Sequence, residues 1–311
     1  MVGSWLCKSL LASGAHVVTF IRDADPQSEL LRSGDVTNTT VVNGALEQFE
    51  TVERAINENE IEIVFHLGAQ AIVDAAFRSP MATFEANIRG TYHVLEACRL
   101  HPDLVRGVVI ASSDKAYGEK QDLPYTEDMA LEGRFPYEVS KSCADLLAQS
   151  YFHSYGLKVA IARCGNIFGG GDLNWNRLVP GTIRSVLQGN NPVIRSDGSF
   201  QRDYIYVKDA VDAYLKLAGA LERDDISGQA FNFGYENPIS VMELVTEILQ
   251  LSEREDLKPD VQNTAHGEIR AQYLSSSKAI TMLKWRPNYQ REKGLLETID
   301  WYRHYLRDSQ T

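Results

Sequence analysis

Short apolar segments alternate with longer segments of helical periodicity through the first half of the chain. The apolar segments have the length and composition of buried strands. They are Ala15–Ile21, Ile61–Leu67, Gly107–Ser113 and Lys158–Arg163. The helical segments are Val2 to about Ser13, Phe49–Asn59, about Met81–Leu100 and about Tyr137–Tyr155. Because strands and helices that alternate at this spacing form parallel βαβ units with right-handed crossovers, we predict an α/β fold with a doubly wound parallel sheet.

Loop signals become frequent where this alternation ends. They are Gly169–Asp172, Asn190–Pro192 and Ser196–Ser199. We therefore expect two lobes. The larger comprises residues 1–171 and about 204–235, and the smaller comprises residues 172–203 and 236–311.

Composition narrows the classes of partner and compartment. The net charge of −11 over 311 residues argues against a nucleic-acid-binding protein, which needs a broad basic surface. No apolar run approaches the roughly 18 residues of a membrane span, and no signal-peptide pattern follows Met1. The seven histidines lack the spacing of metal ligands, so we predict no metal site. The cysteines are far apart, as is typical of reduced thiols in a cytoplasmic protein. They are Cys7, Cys98, Cys143 and Cys164.

Tyr137 and Lys141 form a Tyr-x-x-x-Lys motif on a predicted helix, where positions i and i+4 share a face. A neighbouring ammonium stabilises phenolate and lowers the tyrosine pKa, which makes the tyrosine a usable general base for an alcohol. An ordinary helix-surface pair is the alternative, and the spacing alone does not choose. A second copy, Tyr204 to Lys208, lies in a stretch with strand character. Its side chains would be about 13 Å apart, so we predict a structural role for it.

Ser113, Asp114 and Lys115 follow the strand-like Gly107–Ser113 segment, well before Tyr137 in the chain. Open α/β sheets bind ligands at the carboxyl ends of their parallel strands. A solvated turn is the alternative, but this position favours a functional site.

Five further motifs occur in a recognisable order. They are Phe65–Gln70, Asn87–Thr91, Arg163–Gly169, Arg202–Val207 and Phe231–Gly234. With Tyr-x-x-x-Lys, they resemble the extended short-chain dehydrogenases/reductases that act on nucleotide sugars, the NAD-dependent epimerase/dehydratase family. The likeness covers essentially the whole chain. Within that family, Ser113–Lys115 and Gly165–Asp172 are most similar to CDP-glucose 4,6-dehydratases.

The resemblance implies a Rossmann-like NAD(P)-binding lobe, a smaller C-terminal nucleotide-sugar lobe and a homodimer. It also implies a 4,6-dehydration of the hexose. Tyr137 would take the C4 hydroxyl proton, with its pKa lowered by Lys141, while Ser113 hydrogen-bonds the C4 oxygen. Asp114 would be the acid that expels the C6 hydroxyl as water. Lys115, neutral through partial desolvation, would remove the C5 proton.

Cofactor and substrate residues are also implied by the resemblance. Those for NAD are Gly3, Arg22, Leu67, Gly68, Ala69, Gln70, Asn87, Ser112, Tyr137 and Lys141. Those for the nucleotide sugar are Asn166, Arg202 and Arg270, the last of which follows Gly267-Glu268. Arginines can neutralise a diphosphate bidentately.

The sequence departs from the family at its cofactor loop. The family opens with a strand and a Gly-x-x-Gly-x-x-Gly loop that holds a pyrophosphate, whereas Val2-Gly3 matches only the end of that loop. We therefore expect a sheet truncated at its first strand, and either a product that starts upstream of Met1 or weak cofactor binding. Arg22 follows Ile21, where the family often has an acidic residue, so NADP is an alternative to NAD. Ala45 replaces an aspartate that usually contacts adenine.

Three functions therefore stay open. The first is a nucleotide-sugar 4,6-dehydratase. The second is a nucleotide-sugar epimerase, which needs Tyr137 and Lys141 but no acid at C6. The third is a non-catalytic binding protein that has lost the glycine-rich loop.

Overall fold

Strands and helices alternate along most of the chain, and most of the strands run parallel. The computed structural model describes residues 1–264 and 269–308. The strands are β1 (Val18–Ile21), β2 (Thr40–Asn43), β3 (Ile63–His66), β4 (Gly107–Ala111), β5 (Val159–Cys164), β6 (Asn166–Phe168), β7 (Val193–Ile194), β8 (Gln201–Arg202), β9 (Tyr204–Tyr206), β10 (Ala230–Phe233), β11 (Ile239–Ser240), β12 (Asp260–Val261) and β13 (Ala271–Gln272). The helices are α1 (Val2–Ala12), α2 (Glu29–Arg32), α3 (Phe49–Glu58), α4 (Val73–Arg78), α5 (Pro80–Phe84), α6 (Gly90–Leu100), α7 (Pro136–Tyr155), α8 (Leu178–Leu187), α9 (Val207–Ala220), α10 (Val241–Leu251), α11 (Ser277–Leu283) and α12 (Arg291–Asp308).

The central sheet has four parallel strands in the order β10–β5–β4–β3. Its register places Val109 of β4 between Phe65 of β3 and Ala160 of β5. β1 and β2 pair in parallel as a separate sheet, and within residues 1–264 and 269–308 no strand joins β1 to β3. The predicted parallel sheet is confirmed, in two parts.

Helices cover both faces of the central sheet because alternate strand residues point to opposite sides. Val108 and Ile110 of β4 pack with α3, α6 and α7. Val109, between them, packs with α1 and α9 on the other face. All three side chains are 0% exposed. The carboxyl ends of these strands therefore form one edge, which is rigidly held from both sides.

Smaller sheets gather segments that are far apart in sequence. β8 pairs with β11 in antiparallel and with β13 in parallel orientation. β6 pairs with β9, and β7 with β12, both in parallel. Residues of α8, α10 and α12 form a core of their own beside these strands. The two-lobe boundaries drawn from the sequence stay a prediction.

Three local differences from the sequence expectations stand out. The single helix predicted over Met81–Leu100 is interrupted, because a π-helical turn at Glu85–Arg89 separates α5 from α6. β2 was not predicted. The second Tyr-x-x-x-Lys does not lie in one strand, since β9 ends at Tyr206 and Lys208 lies in the first turn of α9.

Lys208 donates to Glu297 of α12 over 2.7 Å, so this copy of the motif ties two elements together. Across the part of the chain that the structure describes, no helix has the length and apolar character needed to cross a membrane.

Candidate active site

Ser113, Asp114 and Lys115 lie just beyond the carboxyl end of β4, where Asp114–Tyr117 forms a 3₁₀ turn. The Ser113 hydroxyl caps this turn, accepting from the backbone N–H of Lys115 at 3.2 Å and donating to Asp114 Oδ1 at 2.9 Å. Asp114 is only 3% exposed. Its second oxygen, Oδ2, has no hydrogen-bond partner among the described residues. A buried carboxylate oxygen without a partner is costly, so this atom points to a ligand.

Tyr137 and Lys141 project from the first two turns of α7 towards that turn. α7 begins at Pro136, which suits a first helical position, and the Glu138 carboxylate accepts the backbone N–H of Phe135. Further along, Ser142 donates to the Ala116 carbonyl at 2.9 Å and so fixes α7 against the 3₁₀ turn. The Tyr137 hydroxyl consequently lies beside the Ser113 side chain. The structure thus brings three predicted residues together, Ser113, Asp114 and Tyr137.

Lys141 is buried, and its Nζ donates to the Ala111 carbonyl of β4 at 2.8 Å. Desolvation lowers the pKa of Lys141 to about 8. Desolvation also raises the pKa of Tyr137 to about 12, while the Arg177 charge and the Ser113 hydrogen bond act to lower it. The cation that lowers the pKa of Tyr137 in this arrangement is therefore Arg177.

Arg177 was not singled out from the sequence. It is the N-cap residue of α8, pairs with Asp172 at 3.0 Å and reaches the Ala71 carbonyl at 3.5 Å. This position follows the loop Gly169–Asp172, which was recognised. The signal available was an arginine between a glycine-rich loop and a helix, and that signal is weak without the fold.

The loop after β3 is held by Asn87. Its side chain accepts the backbone N–H of Gln70 at 2.6 Å and donates to the Gln70 carbonyl at 3.1 Å. It also donates to Ser140 of α7 at 2.9 Å. Gly68 lies against Leu46, since a Cβ there would be 2.8 Å from Leu46 Cδ1. Asn87 therefore shapes the Leu67–Gln70 loop, and its donors and acceptors are engaged in doing so.

Other residues predicted for a cofactor lie in different surroundings. The Ser112 side chain is buried, and its Oγ has no partner among the described residues. Gly3 lies in the first turn of α1, and a Cβ there would meet no atom within 4 Å. Arg22 is largely exposed and pairs with its neighbour Asp23 at 2.6 Å.

Residues predicted for the nucleotide sugar lie on the strands beside this edge. Asn166 begins β6 and donates to the Asp203 carbonyl at 3.4 Å. Arg202 of β8 donates to the Gln201 carbonyl at 2.8 Å and to the Ile269 carbonyl at 2.5 Å. Arg270 is exposed and immediately precedes β13. The Gly267-Glu268 motif lies outside the described residues.

Gln272 of β13 is a second residue that sequence reasoning missed. Its Oε1 accepts from Lys115 Nζ, and its Nε2 donates to the Asp114 carbonyl at 3.1 Å. Lys115 therefore has a partner that is 157 positions away in sequence.

A buried network supports the site from below. Arg163 of β5 pairs with Asp145 of α7 through two bonds of 2.8 and 2.9 Å. It also donates to the Tyr117 hydroxyl at 2.7 Å, and that hydroxyl donates to Asn232 of β10 at 2.8 Å. Tyr117 ends the 3₁₀ turn that carries Asp114, so the network fixes the turn on the sheet. No group of three or more metal-type ligands occurs among residues 1–264 and 269–308.

Comparisons with known proteins agree with this geometry. Residues 1–298 match the family described as GDP-mannose 4,6 dehydratase. CDP-glucose 4,6-dehydratase of Salmonella typhimurium is 29% identical over 322 residues, covering 98% of this chain and 88% of that relative. Human dTDP-D-glucose 4,6-dehydratase is 29% identical over 274 residues, covering 86% of this chain and 75% of that relative.

Solved structures show the same fold. UDP-glucose 4-epimerase of Thermotoga maritima, solved with UDP-glucose, has a TM-score of 0.89 at 26% identity, covering 98% of this chain and 96% of that one. dTDP-glucose 4,6-dehydratase of Bacillus anthracis, solved with NAD, has a TM-score of 0.84 at 25% identity, covering 98% and 94%. The Rossmann-like fold is confirmed, and the chain belongs to the GDP-mannose 4,6 dehydratase family.

Proposed function

We propose that the protein is an NAD-dependent nucleotide-sugar 4,6-dehydratase that forms a 4-keto-6-deoxyhexose. The observation that carries this proposal is the 3₁₀ turn in which Asp114 and Lys115 directly follow Ser113, which lies beside Tyr137. A dehydration needs an acid and a base in addition to the alcohol base, and these two side chains supply both. The curated relatives named above, from Salmonella typhimurium and human, are 4,6-dehydratases and support the same choice.

The residues present fit a nicotinamide dinucleotide at its nicotinamide end. Ser112 Oγ is a buried polar atom without a partner among the described residues, and Lys141 lies on the same side of the sheet edge. The Leu67–Gln70 loop and Gly3 at the N-terminus of α1 would complete the site, the latter beside the diphosphate. When bound, the cofactor would supply the hydride acceptor for C4 and the hydride donor for C6. The NAD complex of the Bacillus anthracis dehydratase supports NAD, and Arg22 keeps NADP as the alternative.

The sugar-side steps use this chain's own groups. Ser113 orients the C4 hydroxyl, and Tyr137 removes its proton. A C4 ketone then acidifies the C5 proton, which moves to Lys115 Nζ. Asp114 donates a proton to the C6 hydroxyl, which leaves as water. Asn166, Arg202 and Arg270 are proposed to hold the nucleotide diphosphate, with residues 172–203 and 236–311 as the substrate lobe.

Epimerisation is the second candidate, because the Thermotoga maritima epimerase has the same fold. Epimerisation would use Tyr137 as the base but would not need Asp114 as an acid or Lys115 as a second base. Incubation of the protein and NAD with CDP-, dTDP-, GDP- and UDP-hexoses in deuterated water separates the two. We expect a 4-keto-6-deoxy product that carries deuterium at C5. An inverted sugar of unchanged mass would contradict dehydration.

The same samples test the non-catalytic alternative. Calorimetric titration with NAD and with NADP measures whether the folded chain retains a cofactor. Normal folding without binding of either cofactor would favour a binding protein over an enzyme.

We also propose a homodimer in the cytoplasm. Four apolar side chains near α7 are strongly exposed: Phe77 at 53%, Met81 at 77%, Phe135 at 40% and Leu146 at 55%. Phe77 and Phe135 contact one another at 5.3 Å between ring centroids, so they form one patch. A contiguous apolar patch of this kind suits a subunit interface. The cysteines are unpaired, which suits a reducing compartment.

A further inference from the structure

Gln272 connects Asp114 and Lys115, the proposed acid and base, to strand β13. Its side chain is 0% exposed, although it lies in the two-residue strand β13. Both ends of its amide are used, one by Lys115 Nζ and the other by the Asp114 carbonyl. A fully buried amide with both ends engaged has a single orientation.

Lys115 needs such a partner because its side chain is long and only half-buried. A lysine ammonium on a four-carbon stem occupies many rotamers unless an acceptor fixes it. The Gln272 side-chain carbonyl is one such acceptor. Its own position is fixed in turn by the donation to the Asp114 backbone carbonyl, so the Lys115 amine keeps a constant position relative to the turn that carries Asp114.

β13 also ties this pair to the predicted diphosphate residues. Gln272 lies opposite Arg202 in the β8–β13 register. Arg270 directly precedes β13, and its carbonyl accepts the backbone N–H of Gln201 at 2.8 Å. β13, which follows Arg270 and pairs with the strand that carries Arg202, therefore also carries an acceptor for Lys115.

We propose that Gln272 is the positioning residue that holds the Lys115 amine for C5 deprotonation and couples it to the arginine-bearing strands. This inference rests on the proposed dehydratase function. In the step concerned, the C5–H bond breaks and its electron pair enters the C4–C5 enolate. The proton bonds to Lys115 Nζ, and Gln272 touches neither the sugar nor the proton.

The kinetic test uses Gln272→Met and the shorter polar Gln272→Asn, with Gln201→Met in the exposed part of β8 as the matched control. Loss of a hydrogen bond to an amine predicts a fall in kcat of about 10- to 100-fold, with KM nearly unchanged. Because C4 oxidation precedes the affected step, borohydride trapping should reveal a 4-keto sugar that still bears its 6-hydroxyl. Gln201→Met should behave as wild type.

A double-mutant cycle shows whether the effect passes through Lys115. In a Lys115→Ala background, Gln272→Met should cause no further loss of the residual turnover. An equal loss in both backgrounds, or a slowed C4 oxidation, overturns the proposal.

A measurement without turnover covers the case in which a variant is inactive. Acetylation of Lys115 with acetic anhydride, followed by mass spectrometry, should be about 10-fold faster in both Gln272 variants because the amine loses its hydrogen bond to Gln272. Lys208, paired with Glu297, serves as the internal reference. An unchanged Lys115 rate overturns the proposal. A wild type that makes no 4-keto-6-deoxy sugar overturns the proposed function, while the labelling still decides the Lys115–Gln272 contact.

Discussion

Burial acts in opposite directions on the two residues of the Tyr-x-x-x-Lys motif. It raises the pKa of Tyr137 to about 12 and lowers that of Lys141 to about 8. Lys141 donates to Ala111, and the opposing effects on Tyr137 come from Arg177 and Ser113. The tyrosine is therefore protonated near neutral pH until a ligand changes its surroundings. Activation of Tyr137 as a base therefore depends on ligand binding as well as on the Tyr-x-x-x-Lys motif.

Replacement of the Tyr137 hydroxyl tests its role as a base. Tyr137→Phe should lower turnover at least about 100-fold, because a general base contributes about 10²- to 10⁴-fold. Cofactor affinity should stay near the wild-type value, since only one hydroxyl is lost. Product assays and calorimetric titration measure the two quantities. Tyr151→Phe on the same helix is the control, and product formation by Tyr137→Phe above a tenth of the wild-type rate would rule the role out.

Lys141 also predicts a pH dependence of stability. Its pKa is about 8 in the folded protein and 10.5 as the ordinary value, so between these pH values the unfolded chain binds more protons. The destabilising contribution of Lys141 is therefore complete below pH 8 and disappears as pH rises towards 10.5. Lys141→Met should abolish activity and raise the free energy of unfolding near neutral pH by about 1 to 3 kcal/mol.

Urea denaturation near neutral pH and at about pH 10 measures this difference. The gain should shrink at the higher pH. Lys158→Met is the control, because Lys158 pairs with exposed Asp224 in the wild type. A Lys141→Met variant that is less stable than wild type at both pH values would refute the expectation.

At the scale of elements, β5 and α7 are joined by the Arg163–Asp145 ion pair. The side chains are 3% and 0% exposed. Such a pair contributes little compared with a well-packed apolar pair, but removal of one partner leaves a buried charge without compensation. The pair also fixes the helix that carries Tyr137 on the strand beside β4.

Asp145→Ala should therefore lower the free energy of unfolding by about 3 to 5 kcal/mol. Asp145→Ala combined with Arg163→Met should cost less than the sum of the two single changes, since no lone charge remains. Urea denaturation of the three variants gives these values. Glu222→Ala, which breaks the exposed pair with Arg106, should change nothing measurable. Additive effects would contradict the assignment.

Sequence periodicity predicted the well-packed elements. It failed where contacts between distant residues determine the local structure. β4, β5 and α7 were predicted nearly to the residue, because each has a clear apolar pattern. β2 was missed because its residues are mostly exposed and lack that pattern. The π-helical turn around Asn87, whose side chain bonds Gln70 and Ser140, was also missed. Helix propensity contains no information about such contacts.

At the scale of the whole molecule, the same distinction applies to the site. Ser113, Asp114 and Lys115 could be located because they directly follow a strand, and open α/β sheets bind ligands at the carboxyl ends of their strands. Arg177 and Gln272 could not, because α8 and β13 reach the site through long-range packing. Arg202 and Arg270 were placed by resemblance, and their roles remain proposals.

The exposed apolar side chains of Phe77, Met81, Phe135 and Leu146 predict the oligomeric state. Met81→Glu with Leu146→Glu should convert the dimer to a monomer, because charges in an apolar interface are costly to bury. Size-exclusion chromatography with light scattering measures the mass. Leu296→Glu, at an apolar residue on α12 that is 44% exposed, should leave it unchanged. A dimer that survives the double substitution would place the interface elsewhere.

The small sheet of β8, β11 and β13 has a consequence for the dynamics of ligand binding. Each strand contains two residues, so its amide hydrogens should exchange with deuterium much faster than those of β4 and β5. The two arginines proposed to hold the diphosphate then belong to a weakly protected part of the fold. A bound nucleotide sugar would slow exchange most at Arg202 and Gln272, and part of its binding free energy would be used to order this sheet.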